Sequence, residues 1–262
     1  MNRRKFIYNS SIASLSVVGL NSCNILDKNV KISILHTNDV HSQIEPFPFN
    51  HNIYPDRGGF AKRANIFKGL MKLNPNTLIF DAGDIFQGTP YFNFFQGELE
   101  LNLMKKMGYN AATIGNHEFD AGLDILKRNI LNNDFQFISS NYDFTNTALE
   151  GLVSRYKVYK KQNIKIGVFG LGIELNGLVN SSLYKETKYY DPIDISNEMT
   201  HKLKTEEKCD LIICISHLGH TYQDDKISDL KLGSLTSDID LIIGGHTHPL
   251  LKKPEIIKNS KN

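Results

Sequence analysis

The chain has 262 residues, of which 40% are hydrophobic and 22% are charged, and its formal net charge is +2. This length accommodates one large α/β domain or two small ones, and the composition is that of an ordinary globular protein. The small net charge excludes a general basic surface for nucleic acid polymers, and no apolar run of the sequence is long enough to cross a membrane.

The first 22 residues have the features of an export signal. A basic cluster, RRKF at residues 3–6, precedes an apolar and small-residue run at 11–20 and the sequence LNSC at 20–23. This order is typical of signal peptides, RRKF resembles a twin-arginine signal, and LNSC resembles a bacterial lipobox. We therefore predict a signal at 1–22, lipidation of Cys23, a linker at 23–29 and an exported protein held by its lipid at a periplasmic or cell-surface membrane. The alternative is a tail with a chance cysteine.

Residues 30–262 form the predicted catalytic domain, in which strand-like and helix-like segments alternate. The predicted strands are 31–35, 77–80, 111–114, 135–139, 165–169, 210–215 and 240–243. Apolar residues at helical spacing form three stripes: Phe60, Ala64, Phe67 and Met71; Leu99, Leu103 and Met107; and Leu123, Leu126 and Ile130. Such alternation predicts an α/β fold whose sheets are largely covered by helices.

Polar residues follow five of these strands at the point where each strand ends. The segments are LHTNDVH (35–41), DAGD (81–84), GNHEFD (115–120), SHLG (216–219) and GGHTH (244–248). In open α/β sheets, ligands bind at the carboxyl ends of the strands, and the sheet brings these ends together. The sequence therefore predicts one shared site.

The side chains at this predicted site are nitrogen and oxygen donors. Two pairs, Asp39 with His41 and His246 with His248, have the period-two spacing that points both members to the same side. The full set of predicted metal ligands is Asp39, His41, Asp84, Asn116, His217, His246 and His248. A set without sulfur suits Zn, Mn, Fe or Co, and seven donors suit two ions that share one carboxylate.

Two such ions, about 3.5–4 Å apart, can hold a hydroxide that attacks a phosphate ester in line with its leaving oxygen. With Asn116 as a ligand, His117 is predicted to lie beside the metals and to protonate the leaving alkoxide. Asp120 is predicted to hold the other ring nitrogen and to raise the imidazole pKa. His117 and Asp120 are therefore the predicted catalytic pair.

The five segments in this order resemble the motif series of calcineurin-like metallophosphoesterases, and the resemblance covers residues 30–249. It implies a four-layer α/β/β/α sandwich. It also implies one metal ion at Asp39, His41, Asp84 and His248, and a second at Asp84, Asn116, His217 and His246, with Asp84 bridging.

The residues of the five motifs most resemble those of the bacterial 5′-nucleotidase and 2′,3′-cyclic-nucleotide 2′-phosphodiesterase branch. The sequence YDP at 190–192, before a predicted helix, adds to this resemblance. It implies hydrolysis of nucleotides outside the cytoplasm. Members of the branch carry further strands after GGHTH and a second, base-binding domain. We therefore expect C-terminal strands to be missing, and either a fragment or an enzyme that a separate substrate-binding polypeptide completes.

Other functions remain open at this point. They are a 2′,3′-cyclic-nucleotide phosphodiesterase, a phosphatase for another small ester, and a non-catalytic metal-binding lipoprotein remnant. Three further assignments concern the surroundings of the site. Asp81 is predicted to support its loop, Glu118 to be an outer support of the site or a helix-start charge, and the aromatic run YFNFF at 91–95 to pack in the core.

Overall fold

A three-stranded parallel sheet forms from the first half of the chain in the computed structural model, which describes residues 30–259. Its strands are β1 (Ser33–Thr37), β2 (Thr77–Asp81) and β3 (Ala111–Ala112), with β2 in the middle. Thr37 pairs with Asp81, and Asp81 pairs with Ala112. The loops that follow the three strands therefore leave the sheet at the same edge.

Helices connect the strands of this sheet. They are α1 (Phe60–Leu73), α2 (Pro90–Phe95), α3 (Glu98–Met107) and α4 (Leu123–Asn133), and a single 3-10 turn (His117–Phe119) precedes α4. The stripes predicted for α1 and α4 are confirmed, because their residues are buried or pack against the core. The stripe predicted for α3 is confirmed at Leu103, which packs against the core, and at Met107, which is buried, but Leu99 is only half-buried. The fully buried set is Leu101, Met104 and Met107. Both sets have helical spacing, so the sequence pattern alone does not distinguish the two faces.

A second sheet forms from the later half of the chain. A small antiparallel pair, β4 (Tyr142–Asp143) with β7 (Lys188–Tyr189), stands apart from it. The four strands of the second sheet, in spatial order, are β5 (Tyr156–Lys161), β6 (Ile164–Leu171), β8 (Leu211–Ser216) and β9 (Leu241–Gly244). The β5–β6 pair is antiparallel and the other pairs are parallel. The later helices are α5 (Ser181–Tyr184), α6 (Pro192–Thr205) and α7 (Asp229–Leu235). Residues of α6 and α7 pack on the second sheet, whereas Tyr184 of α5 packs against the core on the helix side of the first sheet.

Three apolar cores separate four layers, as the predicted sandwich requires. Side chains alternate along each strand, so Phe80 and Ile213 meet in the core between the sheets, whereas Ile79 faces α1, α3 and α4. On the opposite side, Cys214 of β8 packs with Met199 of α6. The layer order is therefore helices, first sheet, second sheet, helices, and the predicted fold class is confirmed.

The strand predicted at residues 135–139 does not form a regular strand. Phe137 makes one isolated bridge to Ala112, and Ile138 makes one to Ser154. The segment lies beside β3, which is itself only two residues long, so there is little strand for it to pair with.

The predicted signal at 1–22, the linker at 23–29 and the lipidation site Cys23 lie outside the described residues. Between residues 30 and 259, no helix has both the length and the apolar character needed to cross a bilayer.

Candidate metal centre

The donors predicted from the five strand ends meet at one edge of the two sheets. Residues separated by more than 200 positions come into contact: His246 N donates to Asp39 Oδ1 over 2.9 Å, and His41 Nε2 lies 3.2 Å from His248 Nε2. The loops reach this geometry through left-handed backbone at five of the predicted ligands, namely Asp39, His41, Asp84, His246 and His248. Positive φ is uncommon outside glycine and concentrates at functional sites.

One group of side chains, the outer cluster, consists of Asp39, His41 and His248, whose ligand atoms all lie within 4.8 Å of one another. His248 Nε2 is 3.2 Å from Asp39 Oδ1, and the His248 side chain is 56% exposed. Burial lowers the pKa of His41, so its ring is neutral at pH 7 and has a lone pair to share. The outer cluster therefore combines a carboxylate with two imidazoles, and only His248 is exposed, since the Asp39 side chain is 4% exposed.

A second group, the inner cluster, consists of Asp84, His217 and His246, and it is more deeply placed. Asp84 is 2% exposed and His217 is fully buried. Burial, and then the proximity of His217, lower the pKa of His246 to about 4, so this ring is also neutral. Asn116 Oδ1 is buried as well and has no hydrogen-bond partner among residues 30–259.

The contact between Asp84 and His217 requires a positive charge. His217 Nδ1 lies 2.6 Å from Ala82 O, and if it donates there, the neutral ring turns the Nε2 lone pair towards Asp84 Oδ2, 3.0 Å away. Burial opposes charge on both groups, but their mutual attraction outweighs it, raising the pKa of His217 to about 9 and lowering that of Asp84. A proton on Nε2 or a metal cation supplies the missing charge.

These residues fit divalent metal ions on chemical grounds. Neutral imidazoles, carboxylates and an unpartnered amide oxygen converge, and nitrogen and oxygen donors suit borderline transition metals. Asp84 is also grouped with His41 of the outer cluster, so it stands between the two clusters. The chain thus brings six of the seven predicted ligands into these two clusters, and the seventh, Asn116, directly precedes His117, whose N–H donates to Asp84 Oδ1.

His117 and Asp120 form a hydrogen-bonded pair at the rim of the clusters. His117 Nδ1 lies 2.7 Å from Asp120 Oδ2, and this bond raises the pKa of His117. The shift is opposite to those of His41 and His246, which keep neutral rings. The ring of His117 lies 5.2 Å from that of His41, and His117 N donates to Asp84 Oδ1. His117 is therefore next to the clusters and favours the protonated state.

Asp81 supports the loop after β2, as predicted. Its Oδ1 accepts from Gly83 N over 2.9 Å, and its Oδ2 accepts from Thr37 Oγ1 over 2.5 Å. Full burial raises the pKa of Asp81 to about 8. This carboxyl joins the ends of the neighbouring strands β1 and β2.

Of the two roles predicted for Glu118, its contacts fit the outer support, because its buried side chain accepts from backbone N–H groups of the loops after β2 and β3. The only signal was its position between His117 and Asp120. The assignment of the aromatic run 91–95 to the core was wrong in part, since Phe92 is buried but Phe94 is 82% exposed and Phe95 is 45% exposed.

Comparison with known proteins adds independent findings. Residues 32–250 match the model of the calcineurin-like phosphoesterase family. The 5′-nucleotidase of Vibrio vulnificus is 31% identical over 89% of this chain and 43% of its own length, and the trifunctional nucleotide phosphoesterase YfkN of Bacillus subtilis is 29% identical over 88% of this chain and 17% of its own. The crystal structure of a 5′-nucleotidase precursor from Thermus thermophilus superposes with a TM-score of 0.79 at 29% identity, over 88% of this chain and 46% of that one. The chain therefore spans less than half the length of these relatives.

Proposed function

Because the chain belongs to the calcineurin-like phosphoesterase family, we propose that it hydrolyses phosphate esters at a centre of two divalent metal ions, with nucleoside 5′-monophosphates as its substrates. The observation that carries this proposal is the convergence of the outer and inner clusters around Asp84. Two adjoining sets of imidazoles and carboxylates are what a pair of borderline cations needs, and a single ion would leave donors unused.

In this proposal, Asp39, His41, Asp84 and His248 hold one ion, and Asp84, Asn116, His217 and His246 hold the other. When bound, the two ions activate water and neutralise the charge that develops on the phosphate oxygens. The 3.0 Å contact between Asp84 Oδ2 and His217 Nε2, whose charge a bound cation or a proton balances, supports this assignment. So does the buried amide oxygen of Asn116, which otherwise has no partner among the described residues.

We assign the proton transfer to His117. Its Nδ1 is engaged by Asp120, which leaves Nε2 as the atom that carries a proton to the departing ester oxygen. Asp120 holds the ring in one orientation and raises its pKa, and both effects favour a general acid at neutral pH. A positioned acid of this kind typically contributes about 10²- to 10⁴-fold to the rate.

The substrate class is proposed from the relatives, whose names include 5′-nucleotidase and nucleotide phosphoesterase. The test is turnover by the purified chain of p-nitrophenyl phosphate, AMP and 2′,3′-cyclic AMP, each with Mn²⁺ or Zn²⁺ and each with EDTA. We expect metal-dependent release of phosphate from p-nitrophenyl phosphate and AMP. Lack of metal-dependent turnover of all three would favour the non-catalytic binding protein.

Faster hydrolysis of 2′,3′-cyclic AMP than of AMP would identify the cyclic phosphodiesterase instead. Turnover of p-nitrophenyl phosphate without discrimination among nucleotides would point to a separate polypeptide that supplies base recognition. These outcomes leave the metal centre intact and redirect only the substrate assignment.

We also propose that Cys23 carries a lipid that anchors the exported chain to a membrane surface. The support is the order of basic cluster, apolar run and LNSC in residues 1–23. Expression of the full chain in a bacterium with labelled palmitate should label the wild type but not Cys23→Ser. Equal labelling of both proteins would contradict lipidation at Cys23.

A further inference from the structure

Glu118 is a buried carboxylate next to the catalytic pair that serves neither as a proposed ligand nor as a proposed acid. It is 0% exposed, and both of its oxygens face backbone N–H groups. Oε1 accepts from Ile85 N over 2.7 Å and from Phe86 N over 3.3 Å. Oε2 accepts from Asp84 N over 3.0 Å and from Gly115 N over 2.6 Å.

The three donors from the loop after β2 have no partners in regular secondary structure. β2 ends at Asp81 and α2 begins at Pro90, so residues 84–86 lie outside both elements. The left-handed backbone of Asp84, with φ of 55°, turns the consecutive N–H groups of residues 84–86 towards one point. Consecutive N–H groups arranged in this way make a concave anion site, and here the anion is an internal side chain.

The fourth donor belongs to the loop after β3, which carries Asn116. The two loops are in backbone contact, because a Cβ on Gly115 would lie 2.3 Å from Asp84 Oδ1 and 2.7 Å from Asp84 N. Glu118 therefore joins the loop that carries the proposed bridging ligand to the loop that carries Asn116.

We propose that Glu118 is a positioning residue whose carboxylate clamps these two loops at the spacing that metal binding requires. This inference rests on the proposed two-metal function. Groups that hold metal ligands in place typically contribute about 10- to 100-fold to metal affinity.

The chemistry of the four contacts explains why the residue is a glutamate. Each partner is a donor, so both oxygens must accept, and a carboxylate does this. Glu118→Gln preserves the shape but turns an NH₂ group towards two N–H donors, and therefore opens one half of the clamp. Glu118→Asp keeps the charge but shortens the reach by one methylene.

The matched control is Glu100→Gln. Glu100 is also 0% exposed, but it lies in α3 and accepts no backbone N–H from the loops after β2 and β3. The same chemical change is thus made at the same depth without touching the clamp.

The experiment measures Mn²⁺ affinity of the metal-free full chain by calorimetry, together with the visible absorption of the Co²⁺-loaded protein. We expect Glu118→Gln to bind Mn²⁺ about 10- to 100-fold more weakly than wild type and to show an altered Co²⁺ spectrum, whereas Glu100→Gln matches wild type in both. Wild-type affinity in a folded Glu118→Gln protein, or equal weakening by both variants, would overturn the inference.

If Glu118→Gln does not show the near-ultraviolet circular dichroism of the native protein, Glu118→Asp is measured in its place. It should fold and bind Mn²⁺ with lower affinity than wild type, and wild-type affinity there would also contradict the clamp. Failure of the wild-type chain to bind any divalent ion would instead contradict the proposed function, so the two failures are distinguishable.

Discussion

The inner and outer clusters of the metal centre differ in how the protein holds them. In the inner cluster, His217 is fully buried and Asp84 is nearly so, and hydrogen bonds to Ala82 O and from His117 N hold their ligand atoms. In the outer cluster, His248 is half exposed and is followed by residues 249–259, which form no helix or strand. The comparison indicates that packing preorganises Asp84 and His217 of the inner cluster, whereas the outer cluster reaches solvent through His248.

The largest effect is expected at Asp84, which stands between the two clusters and is the proposed bridging ligand. Asp84→Ala should abolish binding of both ions and lower turnover at least about a thousandfold, because metal stabilisation of the transition state is worth several kcal/mol. Metal analysis and p-nitrophenyl phosphate hydrolysis measure the two losses. Retention of two ions in this variant would contradict the bridging role and the division into two clusters.

The next largest effect is expected at His117, where the variant distinguishes proton transfer from metal binding. His117→Ala should retain both ions but lose about 10²- to 10⁴-fold in turnover, since the general acid is removed. Ligand atoms of His117, His41 and Asp84 lie within 4.8 Å of one another, so the metal content of the variant decides whether His117 is a metal ligand or the general acid. Depletion of metal would reassign His117 as a ligand.

The clusters themselves are compared directly by His217→Ala and His248→Ala. His217→Ala leaves Asp84 buried without its partner, and we expect a loss of about 3–5 kcal/mol in the metal-free protein. His248→Ala lies at the surface and should change unfolding by no more than about 0.5 kcal/mol, while weakening one of the two ions. Denaturant unfolding and metal titration measure both. Equal destabilisation by the two variants would contradict the difference between the clusters.

The smallest effect concerns the pH dependence. The Asp120 carboxylate raises the pKa of His117, and a general acid loses activity as pH rises through its pKa. Asp120→Asn should therefore move the alkaline limb of the rate profile to lower pH. An unchanged alkaline limb would show that the rate does not fall because His117 loses its proton.

Much of this architecture could be predicted from the sequence because its signals are local. Strand ends followed by clusters of donors identified the edge of the sheet, and Leu123, Leu126 and Ile130 identified the buried face of α4. The stripe predicted for α3 failed at one residue, Leu99, where two local patterns were equally good. Leu101 and Leu99 both fit a helical stripe, and only packing against the first sheet decides which of them is buried.

The aromatic run at 91–95 teaches the same lesson. The short helix α2 can bury only one face, so Phe92 packs inwards while Phe94 remains outside. Composition suggested burial for all of them, because aromatic residues are mostly buried. The available core surface was not visible in the sequence.

By itself, the sequence determined the alternation of elements, the chemical identity of the donors and their position at the ends of strands, because periodicity and residue type are local properties. Only the tertiary structure decided that Asp39 contacts His246 and His248, that Asp84 and His217 are buried while His248 is exposed, and that Glu118 reaches four N–H groups of two loops. These features depend on distances between segments remote in the chain, which are set by the packing of the two sheets against each other.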